Sequence, residues 1–256
     1  MNKLDSSLCD IHYMDVIVER NRWLNHIYPL IKLVVTICFI TTTISFSKYD
    51  LAGILRMGVY PIIVFVLGEV SFQDALRKLR VILPVVCLIG IFNPFFDRQP
   101  MLEIAGVTVT TGMVSMFTLM VKGIYSVLAS YLLIATTPIE KICHALRLLR
   151  VPVVIVTQIL LTYRYIRLLM NEARHTIQAY SLRAPNQKGL HFKVWGSLVG
   201  QLLLKSIDRA DGVYESMLLR GYNGEFYYDT RISCRAKDYA YLATWCTVFY
   251  CLRVII

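Results

Sequence analysis

Apolar positions along this chain fall in long runs separated by short polar stretches. The first run covers residues 30–46 and is interrupted only by Lys32 at its edge and by Thr41-Thr42-Thr43. A second covers 51–68, with Arg56 one turn inside and Pro61 near the middle. The third, 81–96, is short and broken at Pro84 and Pro94; the fourth covers 107–135. About 20 apolar residues cross a bilayer as a helix, so the fourth run predicts a helix that tilts or protrudes. A fifth run, 239–256, carries Arg253 near its end.

Residues 136–238 follow a different pattern, apolar positions recurring at helical spacing among charged ones. Pro138 suits the first turn of a helix over 139–149, and Pro152 the first turn of a longer one reaching Arg183. After Ala184-Pro185-Asn186 a third helix is predicted over 190–220. The second carries a stripe of Ile155, Ile159, Tyr163, Ile166, Met170 and Ile177; the third carries Val194, Leu198, Leu202, Leu203, Ile207 and Met217. Such amphipathic helices are expected to pack on one another and on the membrane face, leaving their ends for a partner. The predicted fold is an all-α membrane protein with about five transmembrane helices. Residues 1–135 form an N-terminal transmembrane region, 136–238 a cytoplasmic domain of long coupling helices, and 239–256 the last transmembrane helix.

Composition agrees with this pattern. Of the 256 residues, 56% are hydrophobic and 17% charged, against about 45–50% apolar for a soluble domain. Mean hydropathy is +0.55. The net charge of +10 could attract nucleic acid, but in so apolar a chain excess Lys and Arg mark cytoplasmic segments, and no nucleic-acid partner is predicted. Basic residues crowd the segment before the first run (Lys3, Arg20, Arg22), the link between runs two and three (Arg77, Lys78, Arg80) and residues 136–238. Lys48, Arg98 and Arg253 stand on the other side. The N-terminus and the coupling helices are therefore expected in the cytoplasm and the C-terminus outside. The polar first 25 residues, with Asp5, Asp10, Asp15 and Glu19, do not read as a signal peptide. Seven cysteines form no CxxC pair, and no disulfide framework is expected.

The chain offers little for chemistry. Its five histidines never fall at i, i+4, and neither HExxH nor GxSxG occurs. No glycine-rich phosphate loop is present, so any nucleotide is expected on another subunit. No catalytic residue, metal ligand or cofactor is assigned. Lys122 is the odd intramembrane residue, since a lysine at mid-bilayer costs about 2.5–3.5 kcal/mol. Either it faces a partner or a polar cavity, or the long fourth run lets it snorkel to an interface.

One pattern occurs twice. Asn171-Glu172-Ala173-Arg174 leads to Ser181-Leu182-Arg183-Ala184, and Asp208-Arg209-Ala210-Asp211 leads to Leu218-Leu219-Arg220-Gly221. Each reads as a helix whose last turn carries an arginine followed by a small residue. The carbonyl end of a helix is partially negative and favours a cation, and glycine then lets the chain turn. The spacing fits a duplicated docking element and equally two ordinary helix ends.

The order of these motifs resembles a known family. The membrane runs, Ala135-Thr136-Thr137-Pro138, His144-Ala145-Leu146-Arg147-Leu148-Leu149-Arg150-Val151-Pro152, Tyr163-Arg164-Tyr165-Ile166 and the two arginine ends resemble the transmembrane T component of energy-coupling factor (ECF) transporters, in its CbiQ-like branch. Tyr28-Pro29-Leu30-Ile31-Lys32-Leu33 and Ile91-Phe92-Asn93-Pro94 are similar to that family's approach to its first and third membrane helices. The family places Ala-Arg-Gly tripeptides at the ends of two coupling helices. The matching residues here are Leu182-Arg183-Ala184 and Leu219-Arg220-Gly221, with leucine for the first alanine in both and Ala184 for one glycine.

The resemblance implies a non-catalytic subunit in the cell membrane of a prokaryote. Its partners would be two ATP-binding cassette ATPases, docked through Arg183, Ala184, Arg220 and Gly221, and a small substrate-binding membrane subunit (the S component). Cobalt, nickel or a vitamin would be the cargo. Two other classes remain to be weighed. A scaffold holding anionic lipid on its basic helices would lose its partner at high salt. An intramembrane enzyme would need acids or histidines clustered at membrane depth, and the apolar runs contain none.

Overall fold

The computed structural model describes residues 27–68, 72–92, 100–104, 107–183, 192–224 and 234–254. The chain divides into two compact units, one built on Ile139–Asp229 and the other on Ile17–Pro138 together with Thr230–Ile256. The first is spliced into the second. The architecture is the expected all-α membrane protein, apart from one short β-hairpin in the second unit.

In that unit, α1 is Pro29–Ser45, with proline in its first turn, where no amide donor is needed. Its three threonines return their hydroxyls to the preceding turn: Thr41 to the Ile37 carbonyl at 2.8 Å, Thr42 to Cys38 at 2.9 Å and Thr43 to Phe39 at 2.8 Å. The hydroxyls therefore need no partner in lipid or core. The second run is divided at Gly58 into α2 (Leu51–Met57) and α3 (Val59–Gly68). Pro61 explains the step, because it lacks the amide that would bond the Met57 carbonyl and its ring crowds that position. Asp50 caps α2, its carboxylate accepting from the Gly53 amide at 2.9 Å.

Two of the predicted runs are corrected. The third begins nine residues earlier than its apolar stretch, as α4 (Phe72–Ile91), and Pro84 lies inside this helix without ending it. Its first two turns carry Asp74, Arg77, Lys78 and Arg80, which hid them from a search for apolar residues. Pro94 falls outside the described residues. The fourth run is not helical at its start. β1 (Pro100–Ile104) pairs antiparallel with β2 (Val107–Thr110), and only then does α5 (Thr111–Thr136) begin. Val107-Thr108-Val109-Thr110 is all β-branched, which favours a strand.

Helix α5 is the centre of this unit and touches α1, α2, α3 and α4. Its inward residues Ala129, Leu132 and Ala135 are at most 2% exposed. Close approach to α4 depends on Gly123, where an added Cβ would lie 3.0 Å from Val86 Cγ1. Small residues at helix contacts substitute for a hydrophobic driving force that lipid does not supply. The last helix, α9 (Ala236–Val254), is held by rings. Phe39 of α1 stacks on Tyr60 of α3 at 4.4 Å between centroids, and Phe249 of α9 lies 5.7 Å from Phe39. Trp245 meets Tyr60 edge-on at 4.7 Å.

The inserted unit holds α6 (Ile139–Leu148), α7 (Val153–Arg183) and α8 (Phe192–Leu219), close to the bounds read from the sequence. The stripes predicted to pack are covered in part: Tyr163, Met170 and Ile177 of α7 and Val194, Leu198, Leu202 and Met217 of α8 are half-buried. Ile155, Ile159 and Ile166 of α7 and Leu203 and Ile207 of α8 are all exposed, and only Val156 and Thr157 of α7 are buried. Among the described residues, three helical segments are long and apolar enough to cross a membrane: Leu51–Gly68, Thr111–Thr136 and Val153–Arg183. The third lies within 136–238, the segment read from the sequence as cytoplasmic coupling helices. The apolar residues of α7 gather at its start, whereas its second half carries Glu172, Arg174, His175 and Arg183.

Candidate functional site

Helices α7 and α8 run antiparallel. Glu172 of α7 is paired with Lys205 of α8. Nearer the start of α7, Val154 and Thr157 face Met217 and Tyr222, at the end of α8, across a groove of about 570 Å³. Two antiparallel helices have their C-termini at opposite ends. Arg220 therefore lies near the level of residue 157 of α7, and Arg183 some 26 residues along the same axis, roughly 40 Å away at 1.5 Å per residue.

Arg183 is the last residue of α7 and is exposed; Ala184 falls outside the described residues. The end of α8 is a well-formed stop. The Tyr222 amide donates to the Met217 carbonyl at 3.0 Å and the Gly221 amide to the Leu218 carbonyl at 3.0 Å, the paired bonds of a Schellman motif. This closure needs a left-handed residue, and Gly221 has φ of 80°. Arg220 is thereby set at the helix end and exposed. Each arginine is preceded by an uncovered leucine. Leu182 is 82% and Leu219 89% exposed, the two highest values among the large exposed hydrophobics described.

The closure of α8 occurs a second time, which the sequence reading missed. Helix α6 closes with the Val151 amide on the Leu146 carbonyl at 3.2 Å and Arg150 on Arg147 at 3.0 Å, so Leu149-Arg150 is another Leu-Arg end. Here the left-handed residue is Arg150, with φ of 62°. A residue with a Cβ costs about 1–2 kcal/mol there. The signal was the Leu-Arg dipeptide, which stands at 149 as it does at 182 and 219.

Lys122 belongs to a different unit from the arginine ends. Its ammonium donates to the carbonyls of Ile44 at 3.1 Å and Phe46 at 2.7 Å. It therefore closes the C-terminus of α1, where a cation is favoured. The helix passes the end of α1 at this level, so residues 111–121 extend about 16 Å beyond it. Among the described residues, no three His, Cys, Asp or Glu side chains converge as a metal site.

The sequence profile of the cobalt transport protein family CbiQ matches residues 20–229, spanning α1 to α8 and both arginine ends. The chain belongs to the CbiQ family. That is the family its motifs resemble, and with the apolar helices it makes the chain a membrane-embedded transport component. Two relatives are informative. The uncharacterized protein MJ1571 of Methanocaldococcus jannaschii is 28% identical over 229 residues, covering 86% of this chain and 78% of the relative. The nickel permease LarQ of Lactiplantibacillus plantarum is 29% identical over 108 residues, covering 42% of this chain and 40% of LarQ.

Proposed function

We propose that this chain is the transmembrane coupling subunit of an ECF-type importer, carrying ATP-driven movement from two cytoplasmic ATPases to a small substrate-binding membrane subunit. The observation that carries the reading is the pair of Leu-Arg ends, exposed at opposite ends of one antiparallel helix pair. One long helix pair thus offers the same contact twice, as two copies of an ATPase require. At each end the guanidinium can form a bidentate pair with a carboxylate in the partner's groove. The exposed leucine supplies an apolar anchor beside it.

Movement follows from the packing. When ATP draws the two ATPases together, their grooves approach and pull on both ends of α7 and α8. The contact between these helices is loose enough to leave a groove and is tied by the exposed Glu172–Lys205 pair, an interaction worth little at a surface. The helices can therefore shear, the kind of sliding by which packed elements transmit motion. The uncovered apolar face of α7 is available to the small membrane subunit, which would hold the cargo. The family's cobalt and LarQ's nickel favour a transition-metal ion over a vitamin.

The test is affinity purification of the tagged chain from membranes of its own host at high ionic strength. Two ATPase copies and a small membrane protein should co-purify, and the chain alone should not hydrolyse ATP. Recovery of lipid but no ATPase, or loss of all partners as salt rises, favours a lipid scaffold instead. Topology has its own test. With native cysteines replaced, a cysteine at exposed Ser181 should react only from the cytoplasmic side and one at exposed Lys48 only from outside. Labelling of both from one side overturns the orientation on which ATPase docking depends.

A further inference from the structure

The chain leaves the membrane unit after Pro138 and returns to it at Thr230. On the membrane side, the residues before the exit and the helix that follows the return are both bonded to the start of one helix, α1. At the exit, α5 ends on Thr137, whose extended backbone (φ −140°, ψ 119°) is the conformation a following proline imposes. A helix usually closes its last carbonyls with amides from the residues just beyond its end. Pro138 has no amide to give. The ammonium of Lys32 adds a closure from outside the helix, donating to the Thr136 carbonyl at 2.9 Å and the Thr137 hydroxyl at 3.4 Å. Lys32 is 5% exposed and both threonines are buried.

At the return, Asp238 does the complementary work. One carboxylate oxygen accepts from the Arg235 amide at 2.9 Å, capping the start of α9 from within. The other accepts from the Tyr28 amide at 3.3 Å, at the start of α1. Asp238 is 6% exposed. A buried lysine and a buried aspartate are costly to keep for packing alone. Here each reaches across between two helices: Lys32 does so onto the two residues before Pro138, and Asp238 at the start of the helix that follows the return at Thr230. A C-terminal closure made by α5's own backbone would hold its last turn but leave the direction of the exit free. One made by Lys32 fixes that exit to α1.

We propose that Lys32 and Asp238, acting through the first turn of α1, are the positioning residues that hand movement of the coupling unit to the membrane helices. This inference rests on the coupling reading above. Loss of the Lys32 clamp lets residues 136–138 yield locally, so that the coupling helices move without carrying α1 and α5 with them. The expected defect is uncoupling, with ATP hydrolysed but no cargo moved.

The experiment uses the whole complex co-expressed with this chain, in liposomes, with cobalt and nickel as the probes. Lys32→Met keeps the side-chain length and removes the donor; Lys32→Arg keeps charge and donors. Uptake per ATP hydrolysed should fall about tenfold or more with Met, the scale of losing one charge-assisted hydrogen bond, and stay near wild type with Arg. Hydrolysis itself should be preserved. Uptake and hydrolysis falling in proportion, or an unchanged ratio, overturns the proposal. Thr137→Val, which removes one acceptor and no charge, should shift the ratio the same way by less, and it decides the matter if Lys32→Met does not insert.

Amide hydrogen exchange on the isolated chain separates this inference from the coupling reading. Lys32→Met should speed exchange at 134–140 by about tenfold, with the middle of α1 unchanged. Unchanged exchange at 134–140 removes the clamp whatever the partners are. Faster exchange there in Lys32→Met, where the wild-type chain captures no ATPase, sustains the clamp but overturns its role in coupling.

Discussion

Replacing Arg183 and Arg220 together by alanine is expected to abolish ATP-driven uptake while leaving the chain inserted and at normal abundance. Both residues are exposed and end their helices, so neither substitution opens a cavity. Among the described residues neither guanidinium has an intramolecular partner to strand. The loss falls on the docked complex, where truncating one member of a buried, hydrogen-bonded charge pair costs ~2–5 kcal/mol, much of it from the carboxylate left behind. Each single variant should weaken one of two contacts and retain partial assembly. Arg→Lys should rescue in part, since an ammonium cannot reproduce the planar fork. Leu182→Ser with Leu219→Ser should weaken assembly as well, which a purely electrostatic contact would not show.

The controls are on the body of α7. Arg164 and Arg167 lie over the rings of Tyr165 and Tyr163 on their own helix, at 5.9 and 5.7 Å, and alanine at either should be milder. The measurement is ATPase pull-down together with cobalt and nickel uptake in cells making the whole complex. A double variant that assembles and transports normally would reduce these arginines to solvated helix ends.

The arginine ends could be found in the sequence because they are local: a helix stop depends on a few adjacent residues, and Leu219-Arg220-Gly221 spells one out. Pro138 and Pro152 marked the starts of α6 and α7 for the same reason. What could not be read depends on which residues lie beside which. Lys122 looked anomalous because its depth was counted along its own helix, whereas the end of α1 beside it supplies the carbonyls it closes. Lys32 looked like the edge of an apolar run, yet it is buried on the carbonyl end of α5, 104 residues away in sequence. Two further misses had signals of their own. The hairpin lay in the β-branched Val107-Thr108-Val109-Thr110, absorbed into a run because strand and helix residues score alike for hydropathy. The start of α4 lay in an amphipathic stretch that the same score rejected. The exposure of Leu182 and Leu219 could not be read at all, since apolar residues at helical spacing ordinarily indicate burial.

Phe39→Ala should be among the most destabilising single changes in the membrane unit. Phe39 is 0% exposed and joins three helices: it stacks on Tyr60 of α3 and borders Phe249 of α9, and Phe249 in turn lies 5.6 Å from Trp245. Lipid is as apolar as a side chain, so membrane helices are held by packing rather than by exclusion of water. Removing the ring forfeits those contacts on every side and leaves a void that rigid helices fill poorly. In soluble cores phenylalanine to alanine costs about 3–5 kcal/mol, and loss of aromatic pairing adds to the void here. The variant should melt well below wild type in detergent, with α9 released first, seen as protease access between α9 and the preceding chain. Phe39→Leu should recover most of the loss by refilling volume. Ile37→Ala on the lipid-facing side of the same helix, where Ile37 is 51% exposed, should be close to neutral. Because α9, at 19 residues, is less apolar than the helices that mark a membrane span, this ring cluster is what fixes it in the unit. Equal melting of Phe39→Ala and Ile37→Ala would mean that α9 is not packed on α1 and α3 as described.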